Sequence, residues 1–149
     1  IILGTFHYAN NPNIDKELYE LIDHLQLKNK VRFTGFQDHP YDIVGHLDVV
    51  LCPSDYEPFG LVAIEAMMLE KPVIATNVGG FRETILHKKT GYLIPPKSSS
   101  SLAEKIKILY ENPDTAISMG KMGKQRAYDL FQINVFLQNM EKIYNKLTL

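Results

Sequence analysis

Short apolar runs alternate with amphipathic helical stretches along the first two thirds of this chain, and few architectures satisfy that rhythm. A strand that is apolar on both faces must be covered on both, so such strands followed by helices point to a parallel sheet flanked by helices. Ile1–Leu3, Val31–Phe33, Val49–Cys52, Val73–Ala75 and Tyr92–Ile94 read as the strands, the second closed by Gly35 and the third stopped by Pro53. Leu18, Leu21, Ile22 and Leu25 fall on one helical face; Tyr41–His46, Leu61–Leu69 and Phe81–Leu86 supply further helices. After Pro95-Pro96 the chain reads as helical to its end. Ser101 and Glu104 form an S-x-x-E capping box ahead of the stripe Leu102, Ile106, Leu109. Asn112-Pro113 opens a helix to about Tyr128, and a last helix from about Gln132 carries Phe136, Met140, Ile143, Tyr144 and Leu147.

The chain is 149 residues long, one domain in size. Sixteen Lys and Arg against seventeen Asp and Glu leave a net charge of -1, which excludes the basic excess that holds nucleic acid and favours a compact ligand. Cys52 is the only cysteine, so neither an internal disulfide nor a cysteine-built zinc site is available. The five histidines are scattered without metal-ligand spacing, and no metal is expected. No run approaches the ~20 apolar residues of a membrane span. The opening IILGTFHYANN lacks a Met and the grammar of a signal peptide, and reads as a start inside a larger protein. A cytoplasmic location is expected, with peripheral membrane attachment left open for the full-length protein.

Chemistry concentrates in SDYEPFGLVAIEAM, where Glu57 and Glu65 are separated by seven residues around a Pro-Phe-Gly turn leading into a helix. The strand ending at Cys52 delivers this loop to the carboxyl edge of the sheet, where open α/β folds bind ligands. The backbone N–H groups of Phe59, Gly60, Leu61 and Val62 lack partners within the helix, and with the helix dipole they suit a diphosphate. Gly60 lets the backbone approach an oxygen-rich ligand. Carboxylates on either side can accept hydrogen bonds from vicinal hydroxyls, which sugars and ribose present. An arbitrary pair of glutamates would be solvated surface charge. Glu65, however, lies in the apolar run LVAIEAMML, where an unpaired buried carboxylate costs ~2–7 kcal/mol, and so requires a ligand or a partner.

With TGF at Thr34–Phe36, KPVIAT at Lys71–Thr76, NVGGFRE at Asn77–Glu83 and TGYLIPP at Thr90–Pro96, this stretch resembles the retaining GT-B glycosyltransferases of family 4, a group that includes sucrose, glycogen and mannosyl-lipid synthases. The resemblance implies a Rossmann-like parallel sheet flanked by helices, the C-terminal half of a GT-B enzyme, ending in three helices. It implies that Glu57 is the catalytic carboxylate facing the transferred sugar and that Glu65 holds the ribose hydroxyls. Phe59, Gly60, Leu61 and Val62 would offer N–H groups to the sugar and diphosphate, and Phe36 and Gln37 would border the nucleobase. The donor would be a UDP- or GDP-sugar serving cell-envelope or polysaccharide synthesis, with no cofactor or metal. The partner would be an N-terminal acceptor domain of the same protein, and the last helix would bury part of its apolar stripe against that domain.

Three departures qualify the resemblance. The family's Arg and Lys for the diphosphate belong to a segment that would precede Ile1. Gly4-Thr5-Phe6-His7 keeps only one glycine of the family's Gly-x-Gly turn, and Leu69-Glu70-Lys71 replaces a glycine-containing turn. Gly79-Gly80 is read either as approaching the donor or as a tight turn. The competing functions are a nucleotide-sugar epimerase and a non-catalytic module that keeps the fold for protein contacts.

Overall fold

A computed structural model of the chain describes residues 1–3 and 13–147. The chain divides into two compact units, Ile1–Pro40 and Tyr41–Leu149. The Gly4–His7 loop lies outside the described residues.

In the first unit, α1 (Ile14–His24) forms where the apolar stripe predicts a helix. The two expected strands meet as a single parallel bridge between Ile2 and Phe33. Ile2 N–H donates to the Arg32 carbonyl at 2.8 Å, and Thr34 N–H to that of Ile2 at 3.1 Å. The second apolar run is only three residues long, and Gly35 turns away at φ +65° before the ladder extends. The Tyr19 and Phe33 rings, 4.8 Å between centroids, join the helix to the bridge.

The second unit takes in α2 (Pro40–Val44) from its second residue, Tyr41, and is built on three parallel strands, β1 (Val50–Cys52), β2 (Val73–Thr76) and β3 (Gly91–Ile94), in that spatial order. Between them run α3 (Leu61–Met68) and α4 (Phe81–Thr84). α5 (Ser99–Glu111), α6 (Pro113–Phe131) and α7 (Ile133–Leu147) follow. Strand alternation separates two cores. Val50, Cys52, Val73 and Ala75 pack with Ala63, Ile64, Ala66 and Met67 of α3, whereas Ile74, Tyr92 and Ile94 pack with Leu109 of α5. The helix α6 supplies Ala127 to the first core and Met119 to the second. Leu51 departs from the fully covered strand that its sequence suggests: it is exposed, because α5 covers β2 and β3 on that face.

The start of α5 follows the side chain that caps it. Ser98, not Ser101, is the N-cap of α5, its hydroxyl accepting from Ser101 N–H at 3.3 Å. Glu104 consequently has no capping role and pairs with Lys105 at 2.7 Å. Pro113 occupies the first turn of α6 after Asn112, as read from sequence, and the helix continues past Tyr128 to Phe131. Leu69-Glu70-Lys71, where α3 ends, packs against α6. Glu70 adopts φ +58° as α3 ends, and a Cβ at Gly120 of α6 would overlap the Glu70 carbonyl oxygen. The apolar stripe of α7 stays open, with Phe136 and Ile143 both more than half exposed.

Candidate functional site

β1 and β2 are adjacent and parallel, with Cys52 opposite Ala75, so the loops that leave them start side by side at the carboxyl edge. These loops, residues 53–60 and 77–80, touch backbone to backbone. Gly80 N–H donates to the Glu57 carbonyl at 2.9 Å. A Cβ on Gly79, already at φ +42°, would overlap that same carbonyl, and one on Gly80 would lie 2.5 Å from the Phe59 carbonyl carbon. Close approach to the neighbouring loop, which neither sequence reading named, accounts for both glycines, and the positive φ of Gly79 fits the tight turn.

Glu57 leads into α3 and caps it. Its Oε1 accepts a hydrogen bond from Gly60 N–H at 3.0 Å, placing negative charge at the helix N-terminus, where the dipole favours it. Gly60 is the N-cap residue at φ +89°, and a Cβ there would meet the Phe81 ring at 2.8 Å. Room for a ligand is thus not what requires a glycine; the backbone angle and the Phe81 ring are. The Gly60 carbonyl accepts from Ala63 and Ile64 N–H at 3.0 and 3.2 Å, so Leu61 and Val62 N–H precede the helical ladder. With Gly60 N–H committed to Glu57, the N–H groups of Phe59, Leu61 and Val62 remain of the expected four. The side chains of these three residues are exposed, Phe59 meeting Phe131 edge-on at 6.1 Å between centroids.

Glu65 is half-buried between the buried Ile64 and Ala66. The partner that its apolar context demands is Tyr41, whose hydroxyl donates to Glu65 Oε1 at 3.1 Å. That hydrogen bond first, and the carboxylate charge second, raise the Tyr41 phenol above its ordinary value. Tyr41 lies 24 residues before Glu65 and no spacing rule links the two, so sequence reasoning missed it.

Phe36 and Gln37 belong to the first unit. Phe36 is 73% exposed, and the Gln37 side-chain amide donates to the Thr34 carbonyl at 2.6 Å, closing the turn at Gly35. In the second unit Arg126, also missed from sequence, donates to the carbonyls of Thr84 at 2.9 Å and Glu83 at 2.6 Å. It satisfies the last turn of α4 and anchors the segment that follows the glycine pair. Cys52, at the end of β1, is buried, and burial and then the charge of Glu57 push its thiol to about 12, away from the reactive thiolate. Among the described residues no three His, Cys, Asp or Glu side chains gather as a metal-binding group, and no helix is long and apolar enough to cross a membrane.

A parallel sheet whose open carboxyl edge carries a carboxylate-capped helix N-terminus and a second carboxylate has the layout at which open α/β folds bind ligands. The chain belongs to the glycosyl transferases group 1 family, whose sequence profile matches residues 1–126. It is 32% identical over 127 residues to the N-acetyl-alpha-D-glucosaminyl L-malate synthase of Bacillus anthracis, a match covering 85% of this chain and 33% of that one. Anabaena HepE, solved in complex with UDP-glucose, superposes with a TM-score of 0.86 at 29% identity, over 96% of this chain and 40% of that one. The C-terminal domain of the group 1 protein LpcC from Francisella tularensis superposes with a TM-score of 0.74 at 32% identity, over 83% of this chain and 66% of that one. The chain thus spans about a third of the curated relatives it matches, 33% and 37% of the first two. The fold is the expected one, a parallel α/β sheet flanked by helices in the GT-B class.

Proposed function

We propose that this chain is the donor-binding half of a two-domain, retaining GT-B glycosyltransferase of family 4, holding a nucleoside-diphosphate sugar at the loop and helix that carry Glu57 and Glu65. The observation that carries the reading is the pair of carboxylates around the start of α3, with Leu61 and Val62 N–H ahead of the helical ladder. Glu57, held through Oε1, turns its other oxygen to the sugar. Glu65 accepts the ribose hydroxyls, and the N–H groups of Phe59, Leu61 and Val62 meet the diphosphate. Phe36 and Gln37 border the base. The complexes of HepE with UDP and with UDP-glucose favour uridine over guanosine.

Acceptor binding falls to an N-terminal domain of the same protein, the cations that neutralise the diphosphate belong to a segment ahead of Ile1, and the donor binds without a metal. The protein works in the cytoplasm. The relatives named above include a synthase and a group 1 glycosyl transferase, which disfavours both the epimerase and the purely structural module.

The test is a pair of variants in the full-length enzyme, with product affinity read by calorimetry and turnover measured beside it. Glu65→Gln exchanges a carboxylate for an amide with one good acceptor and weakens UDP by roughly 1–3 kcal/mol. Glu57→Gln keeps an oxygen for Gly60 N–H, leaves UDP affinity nearly unchanged and lowers turnover, because its charge faces the oxocarbenium-like transition state. Equal loss of UDP affinity in both, with turnover preserved, removes Glu57 from the sugar.

A further inference from the structure

The contact between Tyr41 and Glu65 joins a side chain with no assigned role to the carboxylate read as the ribose ligand. Tyr41 lies in the first turn of α2, which begins at Pro40. One turn on, Val44, and then Leu47 pack against the core that contains Ala63, Ile64, Ala66 and Met67 of α3. Apolar packing thus seats α2 beside α3, and the Tyr41 ring reaches Glu65 from a fixed base. The ring itself is 52% exposed, so burial does not account for a phenol at this position.

An ionised carboxylate has two oxygens and about four lone-pair sites. Tyr41 takes one of those on Oε1 and leaves Oε2 whole. The terminal torsion of a glutamate is broad, and a carboxylate that must grip two vicinal hydroxyls loses that freedom on binding unless it has been lost beforehand. The hydrogen bond from Tyr41 removes it in advance. Tyrosine is protonated at neutral pH, and Glu65 raises the phenol further, so Tyr41 is the donor of the pair.

We propose that Tyr41 is a positioning residue, its hydroxyl holding the Glu65 carboxylate so that Oε2 faces the ribose hydroxyls of a bound nucleotide. The proposal rests on the reading of Glu65 given above and adds that recognition of ribose depends on a residue from a different element.

The experiment titrates UDP and 2′,3′-dideoxy-UDP into the wild type, Tyr41→Phe, Glu65→Gln and the double variant, with melting temperatures recorded in parallel. Phenylalanine keeps the ring, so the melting temperature of Tyr41→Phe stays close to that of wild type. That variant binds UDP about five- to twentyfold more weakly. It binds the dideoxy ligand as wild type does, and adds no loss to Glu65→Gln. An equal loss for both ligands, or an undiminished loss in the Glu65→Gln background, overturns the proposal in favour of simple packing. Unchanged or tighter UDP binding by Tyr41→Phe overturns it as well, because the hydroxyl would then only occupy Glu65. In either case a loss of UDP affinity in Glu65→Gln itself leaves the ribose reading standing, whereas no loss in Glu65→Gln removes that reading and the inference together.

Discussion

Replacing Gly80 with alanine isolates the interlock between the two loops at the carboxyl edge. Gly80 has φ -63°, a backbone conformation that alanine adopts freely, so the substitution introduces no backbone strain and adds only a methyl group. That methyl would lie 2.5 Å from the Phe59 carbonyl carbon, against ~3.5–4.0 Å for comfortable carbon contact, so the 53–60 loop must retreat by about 1 Å. Overpacking of this kind costs ~1–3 kcal/mol, and a backbone neighbour that cannot rotate away belongs at the upper end. Loss of chain entropy in the unfolded state returns ~0.4–1 kcal/mol, leaving a net destabilisation of about 2 kcal/mol. For a chain of this size that lowers the melting temperature by roughly 4–8 °C. The control is Gly123→Ala, where the new methyl meets a side-chain atom, Met67 Cγ at 3.2 Å, in place of a backbone carbonyl and needs a shift of only a few tenths of an ångström, so the effect stays within about 1 kcal/mol. Thermal unfolding of both variants, with a UDP titration followed at the amides of Phe59–Val62, measures the effect. The same melting temperature in Gly80→Ala as in Gly123→Ala, with unshifted Phe59–Val62 amides, would refute the backbone contact.

Glu70→Gly should melt about 2 °C above wild type, because glycine relieves the left-handed backbone that ends α3 and the exposed pair with Lys124 contributes less. A glycine variant less stable than Glu70→Ala, which keeps the strain and loses the same pair, would contradict this. His87 should make stability sensitive to mild acid. Its Nδ1 accepts from Leu93 N–H at 3.0 Å, and burial, then Lys88 and Lys105, depress its pKa below 6.5. The neutral ring is thus the folded form, so its contribution is complete above pH 6.5 and disappears as pH falls through the lower folded value. His87→Asn keeps an acceptor that does not titrate, and should flatten the fall in melting temperature between pH 7.5 and 5 relative to wild type; parallel curves would exclude the histidine.

What could be read in advance was whatever periodicity and covalent order determine. β2 and α3 formed where continuous apolar runs required cover on all sides, and Pro113 opened α6 because its ring suits a first turn. The cap of α5 was misplaced by three residues because Ser98–Ser101 offers four equivalent hydroxyls, and only the chain path selects one. At the candidate site, Glu57 and Glu65 were recognisable from their spacing and surroundings. The commitment of Gly60 N–H to Glu57 was not, since a free and a capped helix start have the same sequence. Tyr41 against Glu65 and Arg126 on the end of α4 were equally hidden, being products of packing between elements far apart in the chain.

Gly79 and Gly80 touch the main chain of Glu57 and Phe59, not their side chains, so trimming a side chain in one loop cannot compensate a substitution in the other. Length is constrained in the same way: a residue inserted into 53–60 breaks the match with 77–80 unless both change together. Evolutionary drift in this domain is therefore channelled elsewhere, to exposed turns such as Lys88–Lys89 and Pro95–Lys97. There a lineage can lengthen or recharge the surface while the paired loops are inherited as a single unit.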